Sequence, residues 1–200
     1  KTPRMRLIPT SDWHLGQTLH GQDRDYEHAQ FLAWLLDQLV AHRADALLIA
    51  GDVFDTVNPP LKAQERLYDF IVRAHEKLPQ LDIVMIAGNH DSAAQIGAMG
   101  VLADGGAAIV RGPLDEDERP LVISDADGPV AISALPFAFE YAARLCFEDD
   151  AIVCPADVIR AQLASARRHV AEGMRWVVVA HAFVDGAATS ESERPLTRMR

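Results

Sequence analysis

The sequence predicts an α/β fold built on a largely parallel central sheet. Apolar runs rich in β-branched residues alternate with segments whose apolar residues recur at helical spacing, and this alternation is typical of βαβ units. The runs ALLIA at 46–50 and DIVMIA at 82–87 are apolar almost throughout, as expected of strands that are covered on both faces. The sequence has no internal repeat and no low-complexity linker, so we expect one domain over residues 1–200.

The elements of the first half follow from local patterns. RLIPT at 6–10 is the first predicted strand, and a helix is predicted over 26–43 with Asp23 or Asp25 as its N-cap. ALLIA and DIVMIA are the second and third strands. Between them the spacing predicts a helix over 61–78, which a following proline ends.

The second half alternates less regularly. The glycine-rich stretch at 96–110 has no clear period, so no element is predicted there. Strands are predicted at 120–124 and 129–137, separated by the turn sequence DADG. A helix over 155–173 has proline near its start and glycine at its end, and WVVVAHAF at 176–183 is the last predicted strand.

Composition indicates an ordinary globular protein of the cytoplasm. Apolar residues make up 49% and charged residues 24%. No apolar run approaches the ~20 residues of a membrane helix, and the first residues lack the apolar core of a signal peptide. Cys146 and Cys154 form no Cys-x-x-Cys pair, so we expect reduced, buried thiols.

The net charge of −10, from 29 acidic and 19 basic residues, argues against a broad basic face for nucleic acid. If the substrate is nucleic acid, bound metal ions, a local basic strip or a partner must supply the attraction. The acidic run LDEDERP at 114–120 is interpreted as a solvated hairpin tip.

Polar side chains with metal-binding groups follow four of the predicted strands. Ligands of open α/β sheets bind beyond the carboxyl ends of the strands, so we expect these groups to meet there. In an extended segment, the Asp-x-His spacing places both side chains on one face. The residues are Asp12 and His14 after the first strand, Asp52 after the second, Asn89 and His90 after the third, and His181 at the last.

Mixed oxygen and nitrogen ligands suit Mn²⁺, Fe²⁺ or Zn²⁺, and the absence of cysteine argues against a closed structural zinc site. Gly51 and Gly88 would allow close approach of the backbone. Taken singly, each motif has a structural explanation: GNHD is also a turn sequence, and His181 could be a core histidine. Four such motifs at successive strand ends favour a two-metal site. The other histidines (His20, His28, His42, His75 and His169) are assigned no function.

At these residues the chain resembles the calcineurin-like metallophosphoesterases, and among them the SbcD-type DNA-repair nucleases. The motifs are SDWHLGQ at 11–17, AGDVFDTVNPP at 50–60, AGNHDS at 87–92 and SESERPL at 190–196. The resemblance implies a four-layer αββα metallophosphoesterase sandwich. It also implies a Mn²⁺-dependent exo- and endonuclease that processes double-strand ends and hairpins of DNA in repair and recombination. Its implied partners are an SbcC-type coiled-coil ATPase and a second copy of the chain.

The resemblance also assigns roles to the motif residues. It places Asp12 and His14 on one Mn²⁺, Asn89 and His181 on a second, and Asp52 between both. His90 is then no ligand; it contacts the scissile phosphate and assists the leaving oxygen. The homodimer is expected through the helix at 61–78, whose apolar residues include Leu67, Phe70, Ile71 and Ala74, and through 96–103.

The family pattern continues with a Gly-His-x-His motif, a DNA-capping domain and a partner-binding segment, which these 200 residues do not contain. We therefore expect the domain to be incomplete at its C-terminal end and the chain to be part of a longer protein. Two alternatives remain open. One is a phosphodiesterase for small molecules, which the acidic charge favours. The other is a catalytically inactive scaffold with the same fold.

Overall fold

A computed structural model of the chain describes residues 4–100 and 108–183. The strands are β1 (Leu7–Thr10), β2 (Thr18–Leu19), β3 (Gln22–Asp23), β4 (Ala46–Ala50), β5 (Asp82–Ile86), β6 (Ala108–Arg111), β7 (Leu121–Asp125), β8 (Gly128–Leu135) and β9 (Arg175–Ala180). The helices are α1 (Asp25–His42), α2 (Leu61–Lys77), α3 (Ala93–Ala98), α4 (Glu140–Phe147) and α5 (Pro155–Arg167). No helix among the described residues is long and apolar enough to cross a membrane.

Two sheets form the centre of the molecule. The first has the order β1-β4-β5-β6 and is parallel throughout, as the continuous apolar runs predict. In the second, β8 lies between β7, its antiparallel neighbour, and β9, which runs parallel to it. A two-stranded hairpin of β2 and β3 lies apart from both sheets.

Residues of β5 show how the layers are arranged. Ile83 and Met85 pack in a cluster with α1 and α2, whereas Val84 and Ile86 pack against the second sheet. This alternation follows from the period of two along a strand. On the far side of the second sheet, α5 contacts β8 and packs with α4. The order is therefore helices, sheet, sheet, helices, which confirms the four-layer αββα prediction.

Several boundaries differ from the predictions. The N-cap of α1 is Arg24 rather than Asp23 or Asp25, although the Asp23 carboxylate accepts a hydrogen bond from the Asp25 amide at 2.7 Å. The predicted helix over 155–173 ends at Arg167, because the next amides bond to carbonyls three residues back. A turn then leads to Gly173, which has φ of 77°. The short elements α3, β6 and α4 were not predicted.

The acidic run at 114–120 is not a solvated tip. Glu118 is only 4% exposed, its carboxylate lies 2.8 Å from the Arg111 guanidinium, and its amide donates to the Ser165 hydroxyl. Burial raises the pKa of Glu118, and the charge of Arg111 opposes that shift. The run therefore fastens the connection between β6 and β7 to α5.

Helix α2 does not offer the predicted dimer surface. Leu67, Phe70 and Ala74 are buried in the cluster between the helices and the first sheet, so these side chains are not available to a partner. Part of the second predicted dimer segment, 96–103, lies outside the described residues. The two cysteines are free thiols that are half-buried rather than buried.

Candidate metal centre

The loops that follow β1 and β4 are joined by backbone hydrogen bonds. The amide of Asp12 donates to the carbonyl of Gly51 at 3.1 Å, and the amide of His14 donates to the carbonyl of Asp52 at 3.0 Å. Because β1 and β4 are parallel neighbours, their carboxyl ends lie side by side. The first two motifs are therefore held against each other by the main chain as well as by the sheet.

Asp12 and His14 do not continue the strand, as the argument from alternation assumed. Their φ angles are 56° and 46°, and Asp52 has φ of 50°. Left-handed backbone at a residue other than glycine costs roughly 1–3 kcal/mol and is concentrated at functional sites. Between the first two lies Trp13, which is buried with edge contacts to Phe31 and Phe70. The indole anchors a strained loop in the core.

Gly51 and Gly88 are required by close approach, as predicted, but to protein atoms. A Cβ on Gly88 would overlap the carboxylate and amide of Asp52, and one on Gly51 would lie 2.5 Å from His181 Nδ1. These glycines allow the second motif, the third motif and the last strand to meet.

Asp52 lies at the centre of the cluster. Its side chain is 5% exposed, and its Oδ2 lies 3.9 Å from His14 Nε2 and 3.7 Å from His181 Nε2. Two groups with metal-binding spacing share this carboxylate, with ligand atoms within 4.8 Å of one another in each. The groups are His14, Asp52 and His90, and Asp12, Asp52 and His181.

His181 is oriented by its two ring nitrogens. Nδ1 lies 2.8 Å from the carbonyl oxygen of Ala50, so it carries the proton and donates there. Nε2 then presents a lone pair, and it lies 2.9 Å from the amide oxygen of Asn89. Two acceptors that face each other at this distance fit a cation better than they fit one another.

His90 is held by bonds from two directions. Its amide donates to Asp52 Oδ1 at 2.9 Å, and its ring Nδ1 lies 3.1 Å from the carbonyl oxygen of Asp55. Its ring meets that of His14 edge to face, with centroids 4.8 Å apart. The arrangement leaves Nε2 free for a substrate or an ion.

Two aspartates that sequence reasoning did not single out support the cluster. Asp91 is buried, and its carboxylate accepts hydrogen bonds from the amides of Val53, Phe54 and Gly88 at 2.9–3.1 Å. Burial raises the pKa of Asp91, while these three bonds oppose the shift. The carboxylate of Asp55 lies 3.6 Å from His14 Nδ1. Both stand within the motifs GNHD and GDVFD, which were the only signal for them.

The structure brings all the predicted site residues into one cluster at the carboxyl ends of β1, β4, β5 and β9. Carboxylate, imidazole and amide donors without thiolate fit a transition ion such as Mn²⁺, Fe²⁺ or Zn²⁺. The shared Asp52 carboxylate and the facing acceptors of His181 and Asn89 support the same fit.

Comparison with known proteins gives a consistent result. The profile of the calcineurin-like phosphoesterases matches residues 5–142. Curated relatives named as the SbcD component of nuclease SbcCD include that of Bacillus subtilis, 32% identical over 96% of this chain and 50% of its own length. The Rhodobacter capsulatus protein of that name is 42% identical over 66% of this chain and 35% of its own length. The Escherichia coli K12 protein is 45% identical over 46% and 22%. The chain thus spans about half the length, or less, of these relatives.

Proposed function

Because this chain belongs to the calcineurin-like phosphoesterase family, we propose that it hydrolyses phosphodiester bonds of DNA as a metal-dependent nuclease. The observation that carries the proposal is the carboxylate of Asp52, which two groups of metal-binding side chains share. A buried carboxylate between two imidazoles is suited to hold two cations close together. The names of the relatives support DNA as the substrate.

The proposed ligand roles follow the family pattern. Asp12 and His14 hold one ion, Asn89 and His181 hold the other, and Asp52 bridges them. The 4.0 Å between Asp12 Oδ1 and His14 Nε2, and the 2.9 Å between His181 Nε2 and Asn89 Oδ1, support this pairing. Two Mn²⁺ ions in such a site supply Lewis-acid activation of the phosphate and of a water nucleophile.

His90 acts on the leaving group in this proposal. With Nδ1 bonded to the carbonyl of Asp55, a protonated Nε2 can donate to the departing oxygen. Its amide bond to Asp52 keeps the ring beside the ions without using a ring nitrogen. The ring is therefore positioned by main-chain contacts on both sides and can exchange a proton without releasing a ligand.

The biological role is proposed from the relatives. The protein processes double-strand ends and hairpins of DNA in cytoplasmic break repair, recombination and replication, together with an SbcC-type coiled-coil ATPase. The names of the relatives, which describe one component of the SbcCD nuclease, support that partner. An ATPase partner would also offset the net charge of −10. A homodimer stays a prediction, and it requires surface other than the buried residues of α2.

One observation favours a second function. The acidic net charge weakens attraction to a DNA backbone, so a small phosphodiester is the alternative substrate. An inactive scaffold has less support, because the strained ligand loops and His90 are retained.

The test is cleavage of end-labelled duplex DNA by the intact protein with its ATPase partner, before and after EDTA treatment and Mn²⁺ addition. We expect cleavage that EDTA abolishes and Mn²⁺ restores. Hydrolysis of a small phosphodiester without cleavage of DNA would favour the second function, and inactivity on both would favour the scaffold.

A further inference from the structure

Four aromatic side chains form a strip that begins at the metal centre: Phe137, Phe139, Tyr141 and Phe183. The ring centroid of Phe137 lies 6.3 Å from that of His181, 5.1 Å from that of Phe139 and 6.1 Å from that of Phe183. All three contacts are edge to face, with interplanar angles of 84–87°. Tyr141 continues the strip, nearly parallel to Phe139 at 5.9 Å.

The main chain fixes where the strip starts. The amide of Phe137 donates to the carbonyl of Ala87 at 2.9 Å, immediately before the motif that carries Asn89. Strand β8, which precedes Phe137, pairs in parallel with β9, which precedes His181. Phe137 and His181 therefore leave the second sheet at the same edge, and the ring lies beside a proposed metal ligand by construction of the fold.

The outer rings of the strip are exposed. The exposed fractions are 44% for Phe139, 67% for Tyr141 and 42% for Phe183, whereas Phe137 is half-buried beneath them. Phe139 and Tyr141 stand at the start of α4, whose inward contact is made by Ala143 instead. The outer rings therefore contribute little to the core of the described residues, and their position calls for a ligand.

We propose that the aromatic strip stacks against the nucleobase adjacent to the scissile phosphate. This inference rests on the proposed phosphodiesterase function and specifies its substrate as a nucleotide chain with an unpaired base at the cleavage site. A base attached to a phosphate held by the ions comes within reach of rings that start 6.3 Å from His181. Aromatic faces accept any base, so the contact needs no particular sequence.

The charge of the protein favours this occupant. With a net charge of −10, the chain gains little from phosphates away from the ions, so affinity for DNA needs a contribution that is not electrostatic. Stacking on aromatic rings provides one that salt does not screen. A small phosphodiester without a base would gain nothing from the strip, which makes the strip a means of selecting substrates.

The test compares two single-stranded oligonucleotides that differ only in whether the terminal nucleotide carries a base or is abasic. For the intact protein with Mn²⁺, we expect kcat/KM to be about tenfold higher with the base present, since stacking on an aromatic ring has an effect of that order. The Phe139→Ala/Tyr141→Ala variant should lose this preference and keep the wild-type rate on the abasic substrate. Tyr141→Phe, which keeps the ring, should keep the preference.

Tyr26 provides a matched control. It is an exposed tyrosine at the second position of α1, as Tyr141 is at the second position of α4. Tyr26→Ala should leave both rates unchanged. Equal wild-type rates on the two substrates would overturn the stacking proposal while leaving phosphodiester hydrolysis intact. A double variant that loses both activities equally would show that the strip packs against protein and not against a base. Absence of hydrolysis of either oligonucleotide would overturn the proposed function together with this inference.

Discussion

The Nε2 atom of His181 lies 2.9 Å from the amide oxygen of Asn89, with the opposite ring nitrogen already bonded to the carbonyl of Ala50. The two residues come from different sheets and are 92 positions apart in sequence. Their acceptors converge because β5 and β9 end at the same edge of the molecule. This pair is the half of the cluster that we assign to the second ion.

Asn89→Ala should weaken the binding of one Mn²⁺ ion and leave the other nearly unchanged. The physical reason is that the amide oxygen faces only His181, whereas Asp12 and His14 lie on the other side of Asp52. Calorimetric titration with Mn²⁺ should show one site weakened at least tenfold, by analogy with losses of groups that orient ligands. The matched control is Asn58→Ala, which removes an exposed asparagine of the second motif. Unchanged affinity at both sites in Asn89→Ala would remove this residue from the ligand set.

His90→Ala should retain both ions and lose most turnover. A positioned acid or base contributes about 10²–10⁴-fold to rate, and the ring of His90 is held by contacts that use no ligand atom of Asp52 other than one oxygen. Mn²⁺ calorimetry and the rate at saturating Mn²⁺ check the two halves of this prediction. Because His90 also lies within ligand distance of His14 and Asp52, loss of one ion in the variant would reassign it as a ligand.

Asp55→Asn should weaken Mn²⁺ binding without lowering the rate at saturating Mn²⁺. The carboxylate of Asp55 lies 3.6 Å from His14 Nδ1, where it favours a proton on that nitrogen and a lone pair on Nε2 toward Asp52. The backbone carbonyl of Asp55, which binds His90, is unchanged by the substitution. We expect roughly tenfold weaker binding of one ion. A large fall in kcat with unchanged Mn²⁺ affinity would place Asp55 in the chemistry and not in the orientation of His14.

Removal of the Arg66 guanidinium should destabilise the fold more at pH 7 than at pH 3. Two hydrogen bonds from Arg66, at 2.6 and 2.8 Å, hold the pKa of Asp25 well below its usual range. A carboxyl with a depressed folded-state pKa contributes stability above its unfolded pKa of about 3.9 and loses it progressively as the pH falls below that value.

Urea unfolding of the wild type and Arg66→Met at both pH values measures this difference. The control is Arg73→Met, because Arg73 pairs with Asp69 at 3.5 Å on an exposed surface where ion pairs contribute little. A destabilisation by Arg66→Met that is equal at the two pH values would show that its aliphatic packing, and not the ion pair, is responsible.

Long, regular elements could be predicted from the sequence because their patterns extend over many residues. ALLIA gives β4 without error, and α2 ends one residue before the predicted limit. Helix α4 was missed because it has eight residues and buries only Ala143, too little to produce a readable period. The N-cap of α1 was missed because Arg24 caps through its main-chain geometry, with Asp23 supplying the acceptor from one position earlier.

The ligand types could be predicted from strand ends, but the support around them could not. Asp91 binds amides 37 and 38 residues away, a partnership that no local pattern encodes. The left-handed backbone of Asp12 and His14 is also invisible in sequence, since neither residue is glycine. These angles are imposed by hydrogen bonds to the neighbouring loop and by the buried Trp13. The strain is thus a property of the tertiary structure.

The central claim is that Asp52 joins two metal sites in a nuclease, and one experiment tests it directly. Mn²⁺ stoichiometry and cleavage of labelled DNA are measured in the same preparations of the intact wild type, Asp52→Asn and the surface control Asp37→Asn. We expect two ions and Mn²⁺-dependent cleavage in the wild type and the control. For Asp52→Asn we expect weakened binding of both ions and at least a roughly 100-fold loss of rate. Two tightly bound ions and full Mn²⁺-dependent cleavage in Asp52→Asn would contradict the account.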